Sequence, residues 1–120
     1  MKIAFTTSGD SMEAPLEPRF GRAEGFLIYD TNAETFETHS NRTNLNATQG
    51  AGIQAAQKLS TLGVDCLVTG HCGPKAFGVL NTAGIRVYTS SLPTVADALR
   101  AITEGSLKPS AAADVDSHWT

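Results

Sequence analysis

"DCLVTGHCGPKAFGVLNTAGIRVYTS", Asp65–Ser90, is the stretch that decides the fold. Its opening apolar run, bounded by Asp65 and Gly70, reads as a short buried strand. Gly73-Pro74 then breaks the chain, and proline suits the first turn of a helix, where a backbone N–H has no intrahelical partner. "PKAFGVLNTAG" therefore reads as a helix, and "IRVYTS" as a second strand. Two strands joined through one helix must lie parallel, with a right-handed crossover.

The same logic extends outward in both directions. Downstream, Val95, Ala98, Leu99 and Ile102 in "PTVADALRAITEG" hold the i, i+3, i+4, i+7 stripe of an amphipathic helix, bracketed by Pro93 and Gly105. Upstream, Ile53, Ala56, Leu59 and Leu62 in "TQGAGIQAAQKLSTLG" fall three apart, with Gly63 as a stop and Thr48 as the N-cap. Further back, "GFLIYDT" and "ETFETHS" are strands whose short "NAE" connection predicts a hairpin. His39 alternates with Phe36 across the second of these, solvent-facing or near an edge. "KIAFTTS", Lys2–Ser8, is the first strand, closed by Gly9-Asp10 and followed by the aperiodic loop "SGDSMEAPLEPRFGR".

The element order is thus β-β-β-α-β-α-β-α. A hairpin is antiparallel and the later units are parallel, so the assembly expected is one five-stranded mixed sheet with the first strand central. Its strand order is 3-2-1-4-5, with strand 2 antiparallel and helices on both faces. This is the three-layer α/β/α, ribonuclease H-like arrangement. Residues 1–106 make the domain, and the Ala-rich, acidic stretch 107–120 is expected to be a mobile tail.

Bulk properties exclude several functions. The 120 residues suffice for one domain with its own core. A net charge of −3 argues against binding nucleic acid, and five Phe, two Tyr and one Trp give no platform for stacking bases. No apolar run reaches the length of a membrane span or a signal peptide, so the expectation is a cytoplasmic protein without a membrane partner. The triplets at Asn41 and Asn46 then carry no glycosylation meaning. Cys66 and Cys72 lie on one extended segment roughly 20 Å apart at about 3.3 Å per residue. That is too far for a disulfide or for one shared metal ion, and Cys66 reads as a small buried hydrophobe.

In open sheets of this kind ligands bind beyond the carboxyl ends of the strands, where the strand order reverses. That point lies between the first and fourth strands, and the loop Gly9–Arg22 and the turn Gly70–Pro74 leave the sheet there. Arg19, Arg22 and Lys75 supply cations; Gly50, Gly52, Gly70 and Gly73 expose backbone N–H groups to a bound anion. His71 and Cys72 add metal-capable side chains, although neighbours on a turn point apart and the pair alone makes a poor chelate. Against this stands the plain alternative of solvated arginines paired with Glu13, Glu17 or Glu24, and of glycines placed for packing.

"MKIAF", "RFGRAEGFLIYD" and "GAGIQAAQKLSTLGVDCLVTGHCGPKAFGVLNTAGIRVY" resemble, in that order and over residues 1–106, the dinitrogenase iron-molybdenum cofactor biosynthesis family. The resemblance implies a non-catalytic carrier of a metal–sulfur cofactor, and one relative holds a mixed molybdenum–copper sulfide cluster without covalent attachment. On this sequence the implied cluster, molybdenum-containing with or without copper, is an anion held by Arg19, Phe20, Gly21, Arg22 and Leu16 together with the glycines of the rim. His71 and Cys72 are the candidate metal contacts, and an acceptor or regulatory protein is the implied partner. Two cysteines cannot ligate an iron–sulfur cluster of their own. The alternative is a module that senses a small anion or docks to a protein, without a cluster. A two-metal hydrolase needs converging carboxylates; the first strand has none, and Asp30 and Asp65 sit near strand ends. "CLVTGHC" lacks the two-residue spacing of redox pairs.

Overall fold

The computed structural model describes residues 1–41 and 50–110. Thr48, Asn46, His118, Trp119 and most of the expected tail lie outside the described residues. The strands are β1 (Lys2–Thr7), β2 (Gly25–Asp30), β3 (Thr35–Ser40), β4 (Cys66–Thr69) and β5 (Arg86–Thr89). The helices are α1 (Ala51–Thr61), α2 (Pro74–Thr82) and α3 (Val95–Thr103), and a 3-10 turn spans Phe20–Arg22. The sheet runs β3-β2-β1-β4-β5, with β1 antiparallel to β2 and parallel to β4. The expected topology is the observed one.

β1 is central because it is apolar on both sides: Ile3 to Thr7 are all buried. Ala4 joins a half-core with Phe20, Phe26, Ile28, Leu59, Leu67 and Leu80 under α1 and α2. Ile3 and Phe5 join the opposite half-core with Leu27, Val68 and Val95 under α3. Cys72 belongs to the first and Cys66 to the second, and both are free thiols. Opposite faces of the sheet separate them, which adds to the separation expected from strand rise.

Local signals explain most element ends. Asp30 Oδ1 accepts the N–H groups of Asn32 (2.9 Å) and Ala33 (3.3 Å), and Glu34 takes φ 56° to complete the hairpin turn. Those two N–H donors hold the Asp30 carboxyl below its ordinary value. Thr94 caps α3 by accepting the N–H of Asp97 at 3.2 Å. Gly50, with φ 73°, occupies the N-cap position of α1. Beyond α3, Leu107 packs on the half-core and the Ser110 N–H donates to the Val87 carbonyl at 2.7 Å. The chain is therefore anchored four residues into the stretch 107–120 that composition alone marks as mobile.

Candidate functional site

The long loop after β1 is a strap across the carboxyl rim of the sheet, tied at every part of its length. Its first half crosses the start of α3: Ala14 and Met12 carbonyls accept the N–H groups of Val95 (3.0 Å) and Ala96 (2.8 Å). The Leu16 N–H donates to Pro93 O at 3.1 Å. Its middle is fixed to β1. Thr7 Oγ1 donates to Pro15 O (2.8 Å), the Glu17 N–H to Thr6 O (2.7 Å), and Thr6 Oγ1 lies 3.0 Å from Glu17 O and 2.9 Å from Thr69 Oγ1. Its second half runs parallel to the turn after β4: Gly70 N–H to Glu17 O at 3.3 Å, Phe20 N–H to His71 O at 3.1 Å, with an Arg19–His71 bridge. The 3-10 turn then packs on α1.

Gly70 is required by this contact. A Cβ there would stand 2.5 Å from both the Cα and the carbonyl oxygen of Pro18, backbone atoms that cannot rotate away. The crevice between β1 and β4 is thus filled by the strap. A cleft of about 550 Å³ opens one strand further along, above β4 and β5. Its described lining is Leu16 and Pro18 of the strap, Gly70 and His71, and the β5–α3 connection Thr89–Pro93. Ser90 is held in place, its N–H on Thr69 O (2.9 Å) and its Oγ accepting the Leu92 N–H (3.0 Å). That lining offers hydroxyls, an imidazole and apolar surface from two leucines and two prolines, and no carboxylate.

The rim residues picked out from sequence divide into three groups. Gly70 and His71 line the cleft, and Arg19 is half-buried beside it on the strap. Arg22, Gly50, Gly52, Gly73 and Lys75 sit on the same carboxyl rim, at the 3-10 turn and at the starts of α1 and α2, but do not line the cleft. Arg22 and Lys75 are exposed there. Phe20 and Cys72 are core residues, each 1% exposed, and Gly21 is buried in the 3-10 turn. Phe20 packs on Phe26 with ring centroids 6.0 Å apart. Phe20 and Cys72 are turned into the core, and His71 is the metal-capable side chain of its turn that lines the cleft.

The wall Thr89–Pro93 was not foreseen. The carboxyl-end rule applies to β5 as much as to β4, and "TSSLP" follows β5 directly, so the signal was present. The carboxylates considered for a hydrolase lie at the opposite rim and are engaged: Asp30 in its turn, Asp65 Oδ2 accepting the Lys2 N–H at 2.8 Å. Among the described residues, no three His, Cys, Asp or Glu side chains group so as to hold a metal ion, and no helix is long and apolar enough to cross a membrane.

Fold and rim define a class: a single three-layer α/β/α domain whose carboxyl rim is roofed by a strap and opened by a cleft. Residues 1–105 match the family described as dinitrogenase iron-molybdenum cofactor, and the chain belongs to that family. Among solved structures, the apo form of the orange protein from Desulfovibrio gigas matches with a TM-score of 0.91 at 37% identity, over 95% of this chain and 96% of that one. A candidate NifB protein from Thermotoga matches with a TM-score of 0.79 at 33% identity, over 90% and 91%. An uncharacterised protein of Methanocaldococcus jannaschii is 30% identical over 114 residues, 90% of each chain.

Proposed function

We propose that this chain is a carrier, not a catalyst, for an anionic metal–sulfur cluster containing molybdenum, with or without copper, which it passes to an acceptor protein. The observation that carries the reading is the cleft above β4 and β5, with its donor-rich, carboxylate-free described lining on a protein of net charge −3. Hydroxyl groups of Thr89, Ser90 and Ser91 and the imidazole of His71 serve as donors to an anion. Leu16, Leu92 and Pro93 offer apolar faces to weakly hydrated sulfide edges. Arg19, Arg22 and Lys75 bring positive charge to the rim, and the N-terminal ends of α1 and α2 add their partial charge. The corresponding end of α3 contributes less, because strap carbonyls and Thr94 already accept its N–H groups.

Without a set of protein ligands for a bare ion among the described residues, such a cluster arrives with its own sulfides and is held non-covalently. The similarity to an orange protein whose solved structure is called the apo form, a word that implies a form with a bound group, supports this reading.

The test is reconstitution of the purified chain with tetrathiomolybdate and copper, then desalting and elemental analysis. Molybdenum and copper should co-elute with protein and give a visible charge-transfer band. Arg19→Ala with Arg22→Ala should weaken retention, more so at high salt. No retained metal after desalting sinks the proposal. The hydroxyl lining also suits a module that senses a small oxyanion. Thermal stabilisation by molybdate or sulfate alone, with no cluster retained, would favour that reading.

A further inference from the structure

Two sulfur atoms meet at the amino rim of the sheet, the end opposite the cleft. Cys66 opens β4 beside Ile3 of β1, and its Sγ–H donates to Sδ of Met1 at 3.8 Å. The backbone on both sides of the thioether is pinned. The Met1 carbonyl accepts the Thr31 N–H at 2.9 Å and the Thr31 hydroxyl at 3.1 Å. The Lys2 N–H donates to Asp65 Oδ2 at 2.8 Å, and the Asp65 N–H returns to Lys2 O at 2.8 Å. Strand β1 and the residue that precedes Cys66 therefore hold the two sulfurs in register.

Cys66 is 1% exposed and Met1 40%, so the thioether is the approach from solvent and the thiol lies behind it. Arg86 of β5 donates a side-chain hydrogen bond to the thiol sulfur, and Asp65 adds a negative charge nearby.

We infer that Met1 and Cys66 form a site for a soft monovalent cation, Cu(I), with the metal in the position that the thiol proton holds between the two sulfurs. Thiolate and thioether are the donors that select Cu(I), whereas magnesium, calcium and manganese prefer oxygen. At a metal–sulfur distance of about 2.3 Å, two sulfurs 3.8 Å apart subtend about 110° at the metal. That bent arrangement leaves a further position for a thiolate of the donor that delivers the metal. Structural zinc asks for a closed tetrahedron of donors, and among the described residues no three His, Cys, Asp or Glu side chains form such a group. Cu(I) is satisfied by fewer. Binding is an exchange without redox change: Cys66 releases its proton to the buffer, an Sγ–Cu bond forms, the Sδ lone pair adds, and copper stays Cu(I). The charges of cation and thiolate cancel, so no net charge is buried, and Arg86 still donates to the thiolate sulfur. The site lies apart from the cleft and does not depend on a cluster being bound there.

The test is an anaerobic titration of the full, molybdenum-free chain with Cu(I), in ascorbate, against the coloured chelator bicinchoninate. The chain should withdraw copper from the chelator, and copper X-ray absorption should show sulfur neighbours at about 2.3 Å. Cys66→Ala should weaken binding at least about a hundredfold. Norleucine in place of both methionines, Met1 and Met12, removes sulfur and keeps shape, and should weaken it at least about tenfold. Met12→Leu, His71→Ala and Cys72→Ala should bind as the parent does, and every variant should keep the parent circular-dichroism spectrum. A parent chain that withdraws no copper overturns the inference. So does a Cys66→Ala or norleucine chain that binds at parent strength, loss of binding in His71→Ala or Cys72→Ala instead, or a copper shell of nitrogen and oxygen alone.

Discussion

Replacing Gly70 by alanine tests whether the strap is set by close packing on the turn after β4. The new methyl would meet two backbone atoms of Pro18 at 2.5 Å, about 1 Å inside ordinary carbon contact. No side-chain rotation relieves that, so strap and turn must separate. Overpacking of this kind costs about 1–3 kcal/mol. Separation also stretches the bonds Gly70 N–H to Glu17 O and Phe20 N–H to His71 O, each worth about 1 kcal/mol. The expected loss is about 2–4 kcal/mol, measured by urea unfolding with an unchanged slope. Gly78→Ala is the matched control. Its Cβ meets nothing within 4 Å on an exposed helical position of α2, so the same chemical change should stabilise by about 0.5–1 kcal/mol. Cluster retention after reconstitution should fall in Gly70→Ala and stay level in Gly78→Ala. If Gly70→Ala unfolds within about 0.5 kcal/mol of the parent, the strap is not positioned by this contact and the reasoning fails.

Three further outcomes follow from particular residues. Thr94→Ala removes the cap that accepts the Asp97 N–H and should cost about 1 kcal/mol in urea unfolding. Burial pushes the Cys66 thiol above its ordinary value. The folded chain therefore keeps that proton longer than the unfolded one. The stability this contributes is fully present below the unfolded-chain value of about 8.5 and lost as pH rises through the raised folded value. Melting temperature should drop across that alkaline window in the parent and drop less in Cys66→Ala, with parallel curves counting against the assignment. Cys72, 1% exposed in the core, should resist iodoacetamide in the native state and react on unfolding. Rapid native labelling seen by mass spectrometry would return it to the rim.

What the sequence discloses depends on how local the physics is. Ile53, Ala56, Leu59 and Leu62 mark α1 because a helix repeats its contacts every three or four residues, and Pro74 marks the start of α2 through its own missing N–H. The strand order follows from connection lengths and handedness. "SGDSMEAPLEPRFGR" reads as an aperiodic loop because its few local bonds form no repeat and the bonds that seat it on the rim are long-range. Its partners are Thr6, Gly70, His71, Pro93, Val95 and Ala96, up to about eighty positions away in the chain. The burial of Phe20 and Cys72 is a consequence of that same strap, so it is equally invisible. The carboxyl-end rule points to the rim where the cleft lies, and the cleft's wall Thr89–Pro93 belongs to β5, one strand beyond the crevice where the strand order reverses.

That crevice explains why the cleft is displaced. Two parallel connections diverging from β1 and β4 leave a gap, and a segment that fills it buries the Thr6–Thr69 hydroxyl pair and must supply an acceptor for the proton that their mutual contact leaves over. Both are 0% exposed. The strap resolves this by bringing the Glu17 carbonyl to Thr6, and the Thr6–Thr69 contact does the rest. Filling the gap turns the strap into a wall, with Leu16 and Pro18 facing Thr89–Pro93 across the ends of β4 and β5. A ligand is then bounded by backbone that the core itself holds in place, while the charged residues Arg22 and Lys75 stay on exposed rim positions. Shape comes from the buried threonines and Gly70, and charge from side chains free to be exchanged without touching the fold. Under the proposed carrier function, exchanging Arg22 and Lys75 should change ligand preference in this chain while the strap and its two threonine anchors stay fixed.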